Sequence, residues 1–380
     1  MAQPEETAPE RVPAWRISEG FLRSQTAQLA IALLSDPTLE SDFTFILEAI
    51  GITSGPLWEL GKMGLLSLNG EEHRRYRGTI AHHFTPTAVE RCRETAVTAA
   101  SELASPLART TQSEIIESFA EPFVRRVSGH FTGLTDEQIA SVWPQVMGVA
   151  RASRHLPAQG PQMVRAMTEM ATAARDVLDG STPGRDTVIA ELRLLVDEGD
   201  LPNDMAVSLI AALFSAGFEP PVNQLGLIVE LLADHPDVWD GLGTGRLSAP
   251  RVIEECIRLR STNAGTIRRV TCPADHGDRN LEAGSLIMVG LDEANHDPDR
   301  FPCPGELQLD RQNNRSHLAF GFGPHHCLGA ALARLLMEEG LRALAKTITA
   351  IRVDRSVDEG TTGLRGPTEL HLSYQPRPSG

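Results

Sequence analysis

Apolar positions recur at helical spacing through most of the first two thirds of the chain. A longer apolar-rich segment spans residues 203–234, and it also has helical character. The four other clear segments, each bounded by proline, glycine or helix-capping residues, are residues 88–107, 113–131, 163–178 and 186–198. These patterns predict a protein made mainly of α-helices.

An alternating pattern of apolar and polar positions, typical of β-strands, appears later in the chain. It runs from about residue 266 to residue 289, and shorter strands are predicted near residues 350–353 and 370–374. No Gly/Ser linker, low-complexity tract or internal repeat divides the sequence. We therefore expect one domain over residues 1–380, mainly α with a small β portion, in which residues 1–15 form a flexible N-terminal segment.

Composition and charge narrow the class of protein. Of the 380 residues, 41% are apolar and 22% are charged, as in ordinary folded proteins. The net charge of -15 argues against nucleic acid or an anionic membrane as a partner. The chain starts with a polar, acidic segment, and no apolar stretch approaches the roughly 20 residues that cross a bilayer. We expect a cytoplasmic protein.

One of the five cysteines stands out from the others. The odd number and the absence of CxxC spacing disfavour a disulfide framework or a structural zinc site. Cys327, however, follows a glycine-rich loop and directly precedes a helix predicted to begin near Leu328. A thiol at a helix N-terminus lies near unpaired backbone N–H groups, which stabilise its thiolate as a metal ligand or nucleophile.

Three roles compete for Cys327. An inert buried cysteine would not explain the three glycines and two histidines around it. A nucleophile paired with His325 or His326 lacks an evident Asn or Asp partner and has unusual spacing. Axial thiolate ligation of haem iron explains the loop best.

The loop resembles the haem-binding signature of the cytochrome P450 superfamily. Its matching positions are Phe320, Gly321, Gly323, His325, Cys327 and Gly329. The resemblance implies a mainly α, prism-like haem-thiolate fold with haem b as cofactor. It also implies that Cys327 is the iron ligand, that His325 contacts a haem propionate and that Phe320 packs beside the thiolate, with Gly321 and Gly329 close to the haem.

Further segments resemble the family in the expected order. Glu255-x-x-Arg258 resembles a buried pair that bonds to an arginine ahead of the cysteine loop, and Arg311 is the candidate for that arginine. The resemblance implies two more propionate contacts from His73 and Arg77, which lie one helical turn apart. As isolated pairs, both would more often be solvated helix faces.

A further propionate contact is implied for an arginine about ten residues after Arg258. Arg268 fits that count, and its neighbour Arg269 stays an alternative. Because side chains alternate along a strand, only one of the two can face the haem.

The long central helix departs from the family pattern. The usual Ala-Gly-x-acid-Thr is matched by Ala216, Gly217 and Glu219, but Pro220 stands at the threonine position and Pro221 follows. The resemblance implies that Ala216 and Gly217 leave room for dioxygen and that Glu219 delivers protons. Two prolines remove two backbone donors, so a kink or break is expected here. Ordinary hydroxylation with an exaggerated kink stays open beside oxidative coupling, ring formation or rearrangement.

The resemblance implies an oxidoreductase that uses dioxygen and electrons from a ferredoxin and its reductase to oxidise a small organic substrate. A natural-product tailoring step is preferred over general catabolism. Arg74, Arg75 and Arg334 are candidates for a basic ferredoxin-docking patch. The segments expected to line the substrate pocket are the loop before residue 68 and residues 151–161, 209–218, 261–267 and 361–364.

Two hypotheses from other classes stay open at this point. One is a haem-binding sensor or a substrate-binding protein without turnover. The other is a non-haem metal site, whose candidate ligands are His82, His83, His325, His326 and Cys327, although their spacing supports it poorly.

Overall fold

The computed structural model describes residues 14–18, 20–154, 158–359 and 364–378. Helices account for most of the described chain. They are α1 (Ala27–Ser35), α2 (Phe45–Ala49), α3 (Pro56–Lys62), α4 (Gly70–Ala81), α5 (Pro86–Glu90), α6 (Arg93–Ala104), α7 (Glu121–Thr132), α8 (Asp136–Arg154), α9 (Gly160–Asp179), α10 (Val188–Asp197), α11 (Asn203–Ala233), α12 (Pro236–Gly243), α13 (Ala249–Leu259), α14 (Leu291–Asn295) and α15 (Ala330–Thr347). Short 3-10 turns cover His82–Phe84, Ser105–Arg109, Asn314–Ser316 and Gly323–His325, and Ile116–Ala120 forms a π-helical turn.

The β portion is small, and its strands are spread along the described chain. Its strands are β1 (Trp15–Ser18), β2 (Phe21–Ser24), β3 (Leu39–Ser41), β4 (Gln112–Glu114), β5 (Gly265–Val270), β6 (Ala274–His276), β7 (Arg279–Leu281), β8 (Leu286–Gly290), β9 (Ile348–Val357) and β10 (Glu369–Pro376). They form a five-stranded sheet in the order β1-β2-β8-β5-β3, a three-stranded sheet in the order β4-β10-β9 and the hairpin β6-β7. In the larger sheet only the β2–β8 pair is parallel.

The main hydrophobic core surrounds α11. It joins this helix to α6, α7, α13 and α15, and Phe119, Phe123 and Phe214 are fully buried in it. A smaller cluster packs α1 against the five-stranded sheet through Leu33, Ile287 and neighbouring side chains. The mainly α fold with a small β portion that the sequence predicts is therefore confirmed.

Helix α11 is long and apolar. The sequence prediction that no apolar stretch is long enough to cross a membrane does not hold for this helix. Its 31 residues are long and apolar enough to cross a bilayer by length and composition alone. However, 61% of its most apolar window is buried inside the protein, as in the core helix of a globular fold. Its apolar character is thus explained by the main core.

Several predicted helices are shorter or divided in the structure. The helix predicted over residues 113–131 is wrong at its start, where β4 and the π-helical turn precede α7. The carboxylate of Glu114 accepts hydrogen bonds from the backbone N–H groups of Ile116, at 3.0 Å, and Glu117. These bonds cap the new helical segment and separate it from the strand.

Part of the predicted flexible N-terminal segment can be compared with the structure. Residues 1–13 lie outside the described residues. Trp15 begins β1, is buried, and donates its indole N–H to the backbone oxygen of His276 at 3.1 Å. A buried indole with a hydrogen bond anchors Trp15, the last residue of that segment, in the strand, and the flexibility of the segment stays a prediction.

Candidate active site

The cysteine loop is a series of tight backbone turns that ends at α15. The N–H of Cys327 donates to the carbonyl oxygen of Phe320 at 2.8 Å, and the N–H of His326 donates to that of Gly323 at 3.0 Å. Gly321 and Gly323 both have φ of +71°, where a side chain would strain the backbone. A Cβ on Gly323 would also lie 2.7 Å from the carbonyl oxygen of Leu34. The loop therefore needs glycine at both positions.

Opposing influences from the surrounding protein act on the pKa of the Cys327 thiol. Its side chain is exposed, yet desolvation by the surrounding protein raises the thiol pKa. A hydrogen bond from the Gly329 backbone and the charges of Arg77 and Arg334 act in the opposite direction. The expectation of a stabilised thiolate is thus met only in part, because desolvation outweighs those contributions. A thiol that is accessible but poorly solvated opens into a recess of the protein.

Helix α4 brings two of the predicted residues to this loop. The Arg77 guanidinium donates to the backbone oxygen of His326 at 2.6 Å. The His73 ring is buried and lies 4.1 Å from the ring of His325, measured between centroids. Burial, the nearby His73 and the cations Arg268 and Arg77 lower the pKa of His325 to about 3. At neutral pH His325 is therefore uncharged and carries a proton on only one of its two ring nitrogens.

Strand β5 separates the two candidate arginines. Arg269 points to the surface side, where its guanidinium pairs with Asp42 at 2.5 Å and Glu48 at 2.8 Å. Arg268 is buried and donates only to Thr266 Oγ1, at 3.1 Å, and to the backbone oxygen of Ile267, at 2.8 Å. Within the described part of the chain it forms no ion pair, and its burial lowers its pKa to about 10.

Asn69 is a site residue that the sequence reasoning missed. Its side-chain oxygen lies 3.2 Å from His325 Nε2 and accepts the backbone N–H of Ser41 at 2.9 Å. Since an amide oxygen only accepts, His325 carries its proton on Nε2. The residue immediately precedes α4, so one side chain joins β3, α4 and the cysteine loop. Its position before the His73 helix was the available signal.

Below the loop, a buried ion pair ties α13 to the segment that precedes the cysteine. Arg258 donates to both Glu255 oxygens, at 3.0 and 2.8 Å, and the Arg311 Nε donates to Glu255 Oε1 at 3.1 Å. Arg258 also donates to three backbone oxygens, those of Asn295, Pro304 and Glu306. The side chains of Glu255 and Arg258 are fully buried. The carboxylate thus joins the two arginines named from the sequence.

On the other face of α13, Glu254 forms a second network that the sequence did not reveal. It accepts hydrogen bonds from Arg334 at 2.6 Å and lies 3.0 Å from His317 Nε2. The Arg334 guanidinium lies 4.5 Å from the centre of the Phe320 ring. The expectation that Arg334 belongs to a basic docking patch is therefore weakened, because its charge is paired with a buried carboxylate.

Helix α11 places the distal candidates next to open space. Ser215 and Ala216 are exposed although most of the helix is buried, and a Cβ on Gly217 would meet no atom within 4 Å. Glu219 is buried, with 7% of its surface exposed.

Of the kink or break predicted at Pro220 and Pro221, the structure shows no break, because α11 stays helical through both residues, and the kink stays a prediction. Prolines at these positions leave the carbonyls of Ala216 and Gly217 without their usual N–H donors. Packing supplies the compensation, since all of residues 221–229 are buried.

Comparison with known proteins agrees with this arrangement. Residues 249–347, which include α13, Cys327 and all of α15, match the family model described as Cytochrome P450. The chain is 29% identical over 298 residues to Cytochrome P450 107B1 of Saccharopolyspora erythraea, covering 78% of this chain and 72% of that protein. The solved structure of CalO2 superposes with a TM-score of 0.84 at 22% identity, covering 94% of this chain and 92% of that one.

Another relative is the mycinamicin IV hydroxylase/epoxidase of Micromonospora griseorubida. It is 29% identical over 328 residues, which cover 83% of this chain and 81% of the relative. The chain is therefore similar to the cytochrome P450 family around the cysteine loop, along most of its sequence and in its fold. Enzymes of this family carry haem b, and they act on small organic substrates with dioxygen and redox partners.

The residues of this chain fit haem b. A haem has two propionate carboxylates, and the recess beside Cys327 carries cationic and N–H groups that lack anionic partners. Nε2 of His73 is buried with no hydrogen-bond partner among the described residues, and Arg268 is a desolvated cation bonded only to groups near it in sequence. Buried polar groups of this kind require partners, and two carboxylates would supply them.

Two further sequence predictions, the non-haem metal site and the substrate-pocket segments, can be compared with the structure. The non-haem alternative does not correspond to one cluster, because His82 and His83 converge on Glu191 rather than on Cys327. Of the predicted pocket segments, residues 155–157 and 361–363 lie outside the described residues.

Proposed function

We propose that this protein is a cytochrome P450 that oxidises a small organic substrate in a bacterial natural-product tailoring step. In this proposal Cys327 binds the haem iron through its sulfur. The residues that hold or enclose the haem are His73, Arg77, Arg268, Phe320, Gly321, His325 and Gly329. The observation that carries the proposal is that, near an exposed cysteine, buried His73 Nε2 has no hydrogen-bond partner and buried Arg268 forms no ion pair among the described residues.

The side chains around the thiol have distinct tasks in this proposal. Haem b, when bound, supplies one-electron redox chemistry and the activation of dioxygen. Arg77 and Arg268 would neutralise the propionates, the buried Nε2 of His73 would hydrogen-bond to one of them, and Asn69 keeps the Nε2 proton of His325 in place. Phe320, in contact with the Arg334 cation, packs against the loop and adjusts the electron density at sulfur.

The distal helix sets the type of oxidation in this proposal. Ala216 and Gly217 leave space next to the helix, and buried Glu219 is the candidate proton donor. Since Pro220 offers no hydroxyl, protons come through Glu219, water or the substrate itself. We infer that hydrogen abstraction followed by coupling or ring closure suits this site better than hydroxylation. Its relatives include the mycinamicin IV hydroxylase/epoxidase, a natural-product enzyme by name.

Electrons would come from a ferredoxin and its reductase in the cytoplasm. Arg74 and Arg75 are exposed on α4, the helix that also carries Arg77, and offer positive charge near the cysteine loop. An acidic ferredoxin is the partner that this charge would attract.

The absorption spectrum of the reduced, carbon-monoxide-bound protein tests the proposal. The thiolate-type Soret shift should appear in the wild type, persist in Cys272→Ala and vanish in Cys327→Ala. Cys272 is an exposed cysteine away from the loop and so serves as the matched control. Absence of bound haem in the wild type, or persistence of the shift in Cys327→Ala, would contradict it. Haem binding without substrate turnover would identify a sensor or a binding protein instead.

The inference about the distal helix has its own test. Pro220→Thr restores a hydroxyl and an N–H for the Ala216 carbonyl, and Pro221→Ala restores only an N–H. We expect Pro220→Thr alone to change the fraction of reductant that ends in product. Full coupling to a hydroxylated product in the wild type would contradict the inference and leave the haem assignment intact.

A further inference from the structure

A second cluster of potential ligands lies on the turn after α4, away from the cysteine loop. His82 and His83 occupy a 3-10 turn, and both rings direct Nε2 at the same oxygen of Glu191 on α10, at 2.8 and 2.6 Å. The two rings lie 4.2 Å apart, measured between centroids. Three ligand atoms from two separate helical elements thus converge on one point.

The other oxygen of the carboxylate is already occupied. Arg185 donates to Glu191 Oε1 at 3.0 Å, which leaves Oε2 as the oxygen that faces the histidines. Glu191 and His83 are almost fully buried, whereas His82 is 55% exposed and forms the entrance. A buried carboxylate that is held by an arginine on one oxygen would act as a ligand through one atom only.

We propose that His82, His83 and Glu191 form a binding site for a divalent metal ion of the zinc type. Two imidazole nitrogens and one carboxylate oxygen are a common ligand set for Zn²⁺, with a fourth position open to water. All three ligand atoms lie within 4.8 Å of one another. The site joins the turn after α4 to α10 and would hold these two elements together.

The ligand atoms, rather than the surrounding charges, select among cations. Arg185 contacts the cluster directly, and Arg91 is close enough to act on His83. These positive charges act against every divalent cation alike, so the ligand atoms decide the selection. One carboxylate oxygen is too few for Mg²⁺ and Ca²⁺, which need several oxygen ligands, whereas imidazole nitrogen favours Zn²⁺, Ni²⁺ or Cu²⁺.

Metal binding requires only a small local opening. Around a tetrahedral ion with bonds of about 2.0 Å, neighbouring ligand atoms lie roughly 3.3 Å apart. The present nitrogen-to-oxygen distances are 2.8 and 2.6 Å. The exposed His82 side chain can open its own distance freely, whereas the buried His83 and Glu191 side chains must move apart by about 0.7 Å to reach this spacing.

Zinc binding to the haem-loaded protein tests the site. Dialysis against Zn²⁺ followed by metal analysis should give one zinc per chain in addition to haem iron, with micromolar affinity by calorimetry. His82→Ala and Glu191→Gln should each weaken binding at least tenfold. His130→Ala is the matched control, because His130 is a partly exposed histidine paired with Asp136 in the same way. It should bind zinc like the wild type.

Zinc-edge X-ray absorption identifies the ligands. We expect nitrogen and oxygen neighbours at about 2.0 Å, whereas binding by exposed cysteines would give sulfur at about 2.3 Å. Sulfur neighbours, unchanged affinity in His82→Ala, or no binding below millimolar zinc would each overturn the proposal. Since His82 is exposed, His82→Ala retains the fold, and an unchanged haem spectrum verifies this.

Discussion

The cysteine loop and the distal helix are built by different interactions. The loop depends on polar bonds from distant parts of the chain. Arg77 reaches it from α4, and Asn69, which precedes α4, links it to Ser41 of β3. Helix α11 depends on apolar packing along a single continuous element, even across Pro220 and Pro221. The geometry of the loop is therefore sensitive to single charges, whereas the helix is sensitive to volume.

This difference also divides the tasks of the two regions. A loop held by charge-assisted hydrogen bonds is rigid and keeps a sulfur and its polar neighbours in place. A helix held by packing can change its exposed face, around Ser215 and Ala216, without losing its anchor. We infer that the loop defines the cofactor chemistry and that the helix can vary with the substrate.

The largest effect is expected from the fully buried Glu255. Glu255→Gln leaves Arg258 and Arg311 without a counter-charge in the interior, which should lower the free energy of unfolding by about 3–5 kcal/mol. Denaturant unfolding of the haem-loaded protein measures this loss. Glu59→Gln breaks an exposed pair with Lys62 and should cost no more than about 1 kcal/mol. Equal losses for both variants would show that the buried pair does not anchor the loop.

The neighbouring Glu254 should show its contribution through pH. Desolvation would raise its pKa, but hydrogen bonds and charge from His317 and Arg334 outweigh it and lower the pKa to about 2. Because that value lies below the unfolded value of about 4.3, the ionised group stabilises the native state above about pH 4.3. This contribution, about 3 kcal/mol, is lost as the pH falls towards 2.

Unfolding experiments on wild type and Glu254→Gln between pH 2 and pH 7 measure this dependence. The wild type should be more stable at neutral pH, and the difference should shrink steadily below pH 4.3. A difference that stays constant with pH would show that Glu254 acts by packing rather than by charge.

Arg268 and Arg269 allow a test of the charge cluster around the cysteine. Removing one charge-assisted hydrogen bond to a carboxylate costs about 1.5–3 kcal/mol, so Arg268→Ala should release haem about 10- to 100-fold faster. Arg269→Ala breaks only the pairs with Asp42 and Glu48 and should leave haem release unchanged. Transfer of haem to apomyoglobin measures the rates. If haem release is faster only in Arg269→Ala, then Arg269 rather than Arg268 holds the propionate.

The local parts of the site could be predicted from the sequence. The resemblance to the family pointed to Glu255 with Arg258 and to His73 with Arg77, and their spacing of three or four residues agrees with a shared helix face. Strand alternation separated Arg268 from Arg269. Features that lie within one element are therefore readable from the pattern along the chain.

Two contacts that join distant segments were not predicted. Asn69 meets His325 across 256 positions, and Arg334 meets Glu254 across 80, so no local pattern marks either contact. Strand β3 has only three residues, too few for alternation to be seen. The continuity of α11 was missed because the cost of two prolines is visible in the sequence, whereas the packing that offsets it is not.

A smaller effect is expected in the distal helix, where volume should matter more than charge. Gly217 has open space where a Cβ would be placed, so Gly217→Ala should stabilise the protein by about 0.5–1 kcal/mol through its greater helix propensity. If dioxygen or substrate uses that space, the added methyl group should also lower the fraction of reductant that ends in product. Thermal unfolding and product stoichiometry measure the two effects.

Gly226, nine residues further along α11, is the matched control. A Cβ there would lie 2.6 Å from Pro367 Cγ and 2.9 Å from Ile116 Cδ1, so Gly226→Ala should destabilise the protein by about 1–3 kcal/mol. The same substitution in one helix should therefore have opposite signs at the two glycines. Destabilisation by Gly217→Ala would show that the space beside it is closed, and the volume argument for this region would fail.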